Sequence, residues 1–470
     1  MNPLKRRQHD HVVNSPSPRS LPRRITLLCF ACTLLLLAWG VYRRGASPIT
    51  APTLVLEHSA FSGHQPSILS PNGFAIELSP ENRCLGAEDA WVPETKGVSS
   101  SRKRRASGRV DLRKGVRTVY VDTGLRKAGL DARLHVRAGS GDHAKVDVVA
   151  EYHRPDALEP IRACAYQADL SSGIPGQAQE MIDVFRLQRG PRKSDYEGPV
   201  SLNVTLTLPD DGPEYRVKVD AGYIVDVVVN GDVLLRSFRL SNSGASINGY
   251  PPARGRLEMR EGFTAHEIEV ETPGIQGYAR ADGHVRLHTT FDTPMDVHVD
   301  AVRATGYSPA PVMLSSFNAP LTATVRLVDP EPTHAGVFDI NGLSMGAPLN
   351  ITVIDGDPSS AVTIRARAED ADARVRLDRN YEGGFMARVL EPSKNTRAHV
   401  SARPWVPING SVEEDASTKK VVTYTVQLPH ELSGSMMWNT NPWGLPPYRA
   451  QPDTSHVISQ SLRGSAYIEF

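Results

Sequence analysis

Ile25 to Tyr42, ITLLCFACTLLLLAWGVY, is a run of 18 residues without a charge, framed by Arg23-Arg24 and Arg43-Arg44. A stretch of this length and character reads as a transmembrane helix. At 1.5 Å per residue it spans about 27 Å, close to the thinner hydrocarbon core of an endoplasmic-reticulum bilayer. Trp39 and Tyr42 fall where an interfacial aromatic belt belongs. Lys5, Arg6, Arg7, Arg19, Arg23 and Arg24 precede the run, whereas only Arg43 and Arg44 follow it before Arg83. The positive-inside rule therefore puts residues 1–24 in the cytosol and residues 43–470 in the lumen or outside the cell. A cleaved signal peptide is the rival, but a cut after Ala46 would place Arg44 at the −3 position, where a small residue is needed. The expectation is an uncleaved type II anchor whose first partner is the lipid bilayer, through Ile25–Tyr42.

The rest of the chain has the composition of a folded ectodomain. With 22% charged residues and a net charge of +1, it lacks the basic excess of a nucleic-acid binder, so no nucleic-acid partner is expected. The 37 glycines and 36 prolines suit many short strands joined by turns. Of the four cysteines, Cys29 and Cys32 lie in the apolar run, as packing residues or as palmitoylation sites. Cys84 and Cys164 reach the oxidising side, where they could form a disulfide or stay as buried thiols.

Three sequons, Asn203 in NVT, Asn350 in NIT and Asn409 in NGS, all fall on the lumenal side and mark expected glycosylation sites. In SLNVTLTLP the apolar residues Leu202, Val204, Leu206 and Leu208 alternate with Asn203, Thr205 and Thr207, which turns Asn203 to solvent on a strand. Arg102, Lys103, Arg104 and Arg105 form a tetrabasic run that is either a solvated loop or a substrate for a kexin- or furin-like processing protease.

The pattern divides the chain into a basic disordered tail (1–24), the membrane helix (25–42), a Pro/Ser-rich stalk carrying the basic run (43–109), a first β region (110–200) and a repetitive β domain (201–470). Alternation dominates beyond Arg109. Residues 132–138, a Gly139–Asp142 turn and residues 144–152 read as a hairpin; so do YIVDVVV, Asn230-Gly231 and VLLRSFRL. Gly176 to Arg189 is the exception and is expected to form a short helix. A small residue, Pro, an apolar residue and an alternating strand recur from Thr293, Ala319 and Ala347, at intervals of 26 and 28 residues. Proline suits a strand start, and such a period suggests stacked β-coils.

The segments NVTLTLP (203–209), SSFNAPLTATV (315–325), RNYEGGF (379–385) and SLRGSAYIEF (461–470) carry a further pointer. From about Ser201 to Phe470 the chain resembles the putative adhesin domain of unknown function found in bacteria and in fungal membrane proteins. The resemblance implies an elongated β fold and adhesion, and supplies no catalytic residue.

Catalytic and metal-binding arrangements are weak. Gly342-Leu343-Ser344-Met345-Gly346 matches the G-x-S-x-G string, but a strand follows where a nucleophile elbow needs a helix, so Ser344 is expected in a turn. His284 and His288 share a strand face about 13 Å apart, too far for one zinc ion, with His298 farther on. Asp355, Asp357, Asp370 and Asp372 lack the spaced series of a calcium loop. No catalytic residue, cofactor or metal is expected. Trp438, Trp443 and Tyr448 could stack on sugars or cap the end of a β-stack.

The reading is a mainly β ectodomain, elongated and solenoid-like or a sandwich, behind one membrane helix. It would act as a non-catalytic interaction or adhesion module at the surface or in the secretory pathway, with glycan or protein ligands. The alternative is a carbohydrate-active hydrolase, which needs two convergent carboxylates.

Overall fold

The computed structural model describes residues 55–56, 67–69, 75–77, 83–85, 91–93, 104–123, 130–154, 157–170, 180–189, 200–210, 214–221, 224–242, 255–290, 292–303, 310–329, 336–355, 360–378, 381–401, 420–438 and 455–470. The apolar run Ile25–Tyr42 lies outside them, as do Asn409, Arg102, Lys103, Trp443 and Tyr448. Among the described residues no helix is long and apolar enough to cross a membrane.

The chain forms two compact units, Met1–Ile76 and Glu77–Phe470. In the first, Val55–Leu56 pairs antiparallel with Ser67–Leu69. The second is mainly β, with 29 strands in one hydrogen-bonded system among the described residues. Its central part is a stack of two-strand coils, because each strand pairs in parallel with the next strand but one. One sheet runs Tyr215–Asp220, Leu234–Ser241, Thr264–Thr272, Val285–Thr289, Ala310–Phe317, Val337–Met345 and Ala361–Ala368. The second sheet runs Ile224–Val229, Arg256–Met259, Gly274–Ala281, Met295–Val302, Leu321–Val328, Leu349–Ile354 and Ala373–Arg376. The inward residues of both make one continuous apolar core.

Period two explains this packing. In Leu321–Val328 and Leu349–Ile354 every odd-numbered side chain is buried and every even-numbered one faces outward. Met295, Leu321 and Leu349 stand in register across three coils, so the 26- and 28-residue echo is the spacing of successive coils. The coil turns repeat too. Ser316 donates its hydroxyl to Ala319 O at 2.6 Å, and Ser344 donates to Ala347 O at 2.7 Å. The same position in each turn, Asn318 or Gly346, takes positive φ, a conformation open to Gly and tolerated by Asn.

Several local expectations give way to this stacking. Residues 132–138 and 144–152 are strands, but Val200–Pro209 lies between them, parallel to Leu130–Gly139 and antiparallel to Lys145–Tyr152. Asn230-Gly231 is a turn that carries the chain from the second sheet to the first, since Ile224–Val229 and Leu234–Ser241 pair with different neighbours. The expected helix at Gly176–Arg189 is wrong over its described part. Glu180–Arg189 is a strand between Ile161–Leu170 and Thr118–Asp122, and it is buried on both faces from Ile182 to Leu187, a setting that overrides the weak helical signal. The boundary at 200/201 does not separate two bodies, because Val200–Pro209 takes both neighbours from the preceding region. The stalk likewise ends before residue 109, since Arg104–Asp111 is a strand of the sheet.

Two coils are out of sequence order. Thr118–Asp122 sits between Glu180–Arg189 and Tyr215–Asp220, while Leu130–Gly139 sits between Val200–Pro209 and Ile224–Val229. Near the other end, His456–Ser461 lies between Ala361–Ala368 and Gly383–Val389. Its companion Ala466–Glu469 lies between Ala373–Arg376 and Ala398–Ser401. The hairpin Lys420–Leu428 and Glu431–Trp438 then adds antiparallel to Gly383–Val389.

Stacked turns leave no space for a side chain at Gly231, where an added Cβ would run into the backbone oxygen of Glu261. Gly231→Ala is therefore expected to destabilise the fold by about 2 kcal/mol or more, the cost of overpacking against backbone. Thermal or denaturant unfolding of the variant measures it, and unchanged stability would contradict the close stacking.

Candidate interaction face

The outward rows of the second sheet bring together residues far apart in sequence. One row contains Asp296, Thr322, Asn350, Arg374, Tyr467 and His399 in direct register. The next contains Tyr278, His298, Thr324, Thr352, Arg376 and Glu469. Neighbouring strands stand about 4.8 Å apart, so ring and guanidinium planes in a row can lie against one another. Arg374 lies over the Tyr467 ring at 4.7 Å from its centroid, and His399 stacks on the other side at 4.8 Å and 5°. Glu469 holds both Arg374 and Arg376, at 3.5 and 3.1 Å.

A second focus is centred on Asp300, whose side chain is fully buried. Tyr278 donates its hydroxyl to Asp300 Oδ2 at 2.6 Å, and His298 Nε2 lies 3.1 Å from Oδ1. Arg326 grips both oxygens, its Nε 2.9 Å from Oδ1. The Tyr278 and His298 rings stack at 5.5 Å. Burial alone pushes the carboxyl up and is the largest single influence. The hydrogen bonds from Arg326 and Tyr278, with the charges of Arg326 and His298, outweigh it and hold Asp300 below the usual carboxylate range. A carboxylate engaged by three partners is a structural anion, poorly placed to act as nucleophile or base.

The other singled-out residues are dispersed. His288 bonds Ser315 Oγ at 2.7 Å in the first sheet, His298 belongs to the second, and the backbone oxygen of His284 accepts from Ile268 N at 2.9 Å. Among the described residues no group of His, Cys, Asp or Glu is arranged to hold a metal. Ser344 is not a turn residue: it lies in strand Val337–Met345, fully buried and facing the core. Asp370 pairs with Arg463 at 2.8 Å, and Asp372 accepts from Ser465 N at 2.7 Å, so both serve the inserted coil. Asp355 is exposed with positive φ, and Asp357 lies outside the described residues.

Asn203 and Asn350 both lie half-buried on the outer face of the second sheet. Cys84 and Cys164 face each other across antiparallel strands and are bonded, with S–S 2.14 Å. Arg104 and Arg105 stand on a strand, exposed as side chains but paired through the backbone with Tyr152 and Glu151. Arg105 also forms an ion pair with Glu151 at 2.7 Å. Ala106 is buried between Ala150 and Pro93. The peptide bond after Arg105 is therefore held in a ladder and reaches a protease cleft only before this strand docks or after it leaves.

The chain matches no protein-family model and no curated protein. A solved structure similar to it is that of a putative cell adhesion protein from Clostridium sporogenes ATCC 15579, at 9% identity, covering 78% of this chain and 99% of that one, with a TM-score of 0.14. Likeness at that level carries no argument about fold or function.

Asp300→Asn is expected to cost about 2 kcal/mol, below the roughly 3–5 of a fully buried pair because Arg326 is 39% exposed. Since the folded carboxyl titrates below its unfolded value, its contribution is present above the unfolded pKa and is lost as pH falls through the folded one. Unfolding curves between neutral and acid pH should show the two proteins converging at low pH. A constant difference would remove Asp300 from that account.

Proposed function

We propose that the chain is a single-pass type II membrane glycoprotein whose β-solenoid-like ectodomain is a non-catalytic interaction or adhesion module of the cell surface or secretory pathway. The observation that carries this reading is the outer face of the second sheet. It presents ordered rows of polar and stacked aromatic side chains, while its buried carboxylate is saturated by Tyr278, His298 and Arg326. Such a face, its ring planes stacked on one another, offers ring edges and polar groups to the hydroxyls of a glycan or to a partner protein. The anchor rests on Ile25–Tyr42 and the basic residues before it.

An N-terminal reporter should be digested when sealed microsomes are treated with protease, while residues beyond Arg44 stay protected; the reverse would contradict the orientation. Endoglycosidase should lower the apparent mass through glycans at Asn203, Asn350 and Asn409, and substitution of each Asn by Gln assigns them. An unchanged band would remove glycosylation from the proposal.

Processing after Arg105 belongs to the same proposal. Because Cys84 and Cys164 flank the site, a processed chain should run as one species without reductant and as two with it. Arg104→Ala with Arg105→Ala should restore a single reduced band. A single reduced band from the native chain, in cells with active processing proteases, would remove processing from the proposal.

A further inference from the structure

The coil His456–Glu469 fills a slot between coils that precede it in the chain by tens of residues. His456–Ser461 has a parallel neighbour on each side, Ala361–Ala368 and Gly383–Val389, and Ala466–Glu469 has Ala373–Arg376 and Ala398–Ser401. Val457, Ser459, Ser461, Ala466 and Ile468 are fully buried there. Hydrogen bonds repeat the fit: Ser459 and Ser461 donate to Ala373 O and Ala371 O at 2.9 and 2.8 Å. Arg463 joins the flanking coils by holding Asp370 and Glu391, at 2.8 and 3.2 Å.

With this coil withdrawn, four strand edges and the core between them would face water together. Open edges of that kind recruit another strand. The segment is tied to the preceding hairpin by residues 439–454, which reach about 50 Å when extended. That length serves a slot in the same chain or in a neighbouring one. The contacts are identical in either case, so exchange changes only the connectivity.

We infer that residues 455–470 form an exchangeable closing coil, through which two copies of this chain join by each filling the other's slot. The partner is a second copy, recognised by main-chain pairing on both sides and by the small and apolar inward side chains. This inference rests on the ladder and on the length of the tether, and is independent of the anchor and of any ligand.

Arg367 and Gln460 are register partners on the outer face of the first sheet, which gives a direct test on the full chain. In a background with Cys29 and Cys32 replaced by alanine, R367C and Q460C are made in one chain and, separately, in two differently tagged chains. A short bis-maleimide should cross-link the double variant within one chain when dilute, establishing that the coil is docked. When the two single variants are mixed at high concentration, a dimer carrying both tags should form at about tenfold the yield of a control mixture of R367C with T322C. Internal cross-linking of the double variant with two-tag product no higher than the control would overturn the inference. Failure of the double variant to cross-link internally would overturn it as well, by removing the docked coil on which it depends.

Discussion

Parallel register between alternate strands is the constraint from which the rest of this structure follows. A strand slipped by one residue would turn its whole apolar set to water, so each coil must copy the register of the coil below it. Met295, Leu321 and Leu349 show the result as an in-register apolar column across three coils. The turns obey the same rule: a serine hydroxyl holds the carbonyl three residues on, and a residue able to take positive φ sits between them. Stability in such an arrangement is passed between neighbours, which makes the two out-of-order coils the places where distant parts of the chain depend on each other.

The same register governs the outer surface. Once inward positions are committed to the core, outward positions also align in rows, and residues one coil apart in sequence become spatial neighbours. Tyr278, Asp300 and Arg326 are brought together in this way, and the inserted coil sets Tyr467 between Arg374 and His399, which precede it by 93 and 68 residues. The resulting face is built from planar and charged groups that satisfy one another. Asp300 and Glu469 are the anions of this face, and each is engaged by cations.

Some of this was readable in advance from particular residues. The alternation around Asn203 placed it on an outward face, and the Pro-led strands at Thr293, Ala319 and Ala347 marked successive coils at their true spacing. The Asp300 cluster is written in no local pattern, because its members lie on three successive coils. Shifting the sequence by one coil length would have set His298 beside Thr324 and Asp300 beside Arg326.

Period-two patterning by itself determined that the described segments beyond Arg109, Glu180–Arg189 excepted, are strands and which side chains turn inward, because burial of one face is a local property of a strand. Only the tertiary structure decided which strands are neighbours. An alternating segment buries the same residues whether its neighbour is parallel or antiparallel, near or far in sequence. Gly139–Asp142 and Asn230-Gly231 were therefore legible as turns and misleading as hairpins, since a turn signal reverses the chain without naming the sheet it enters. The interleaved coils and the pairing of Cys84 with Cys164 depend on contacts between segments tens of residues apart, and no local preference specifies them.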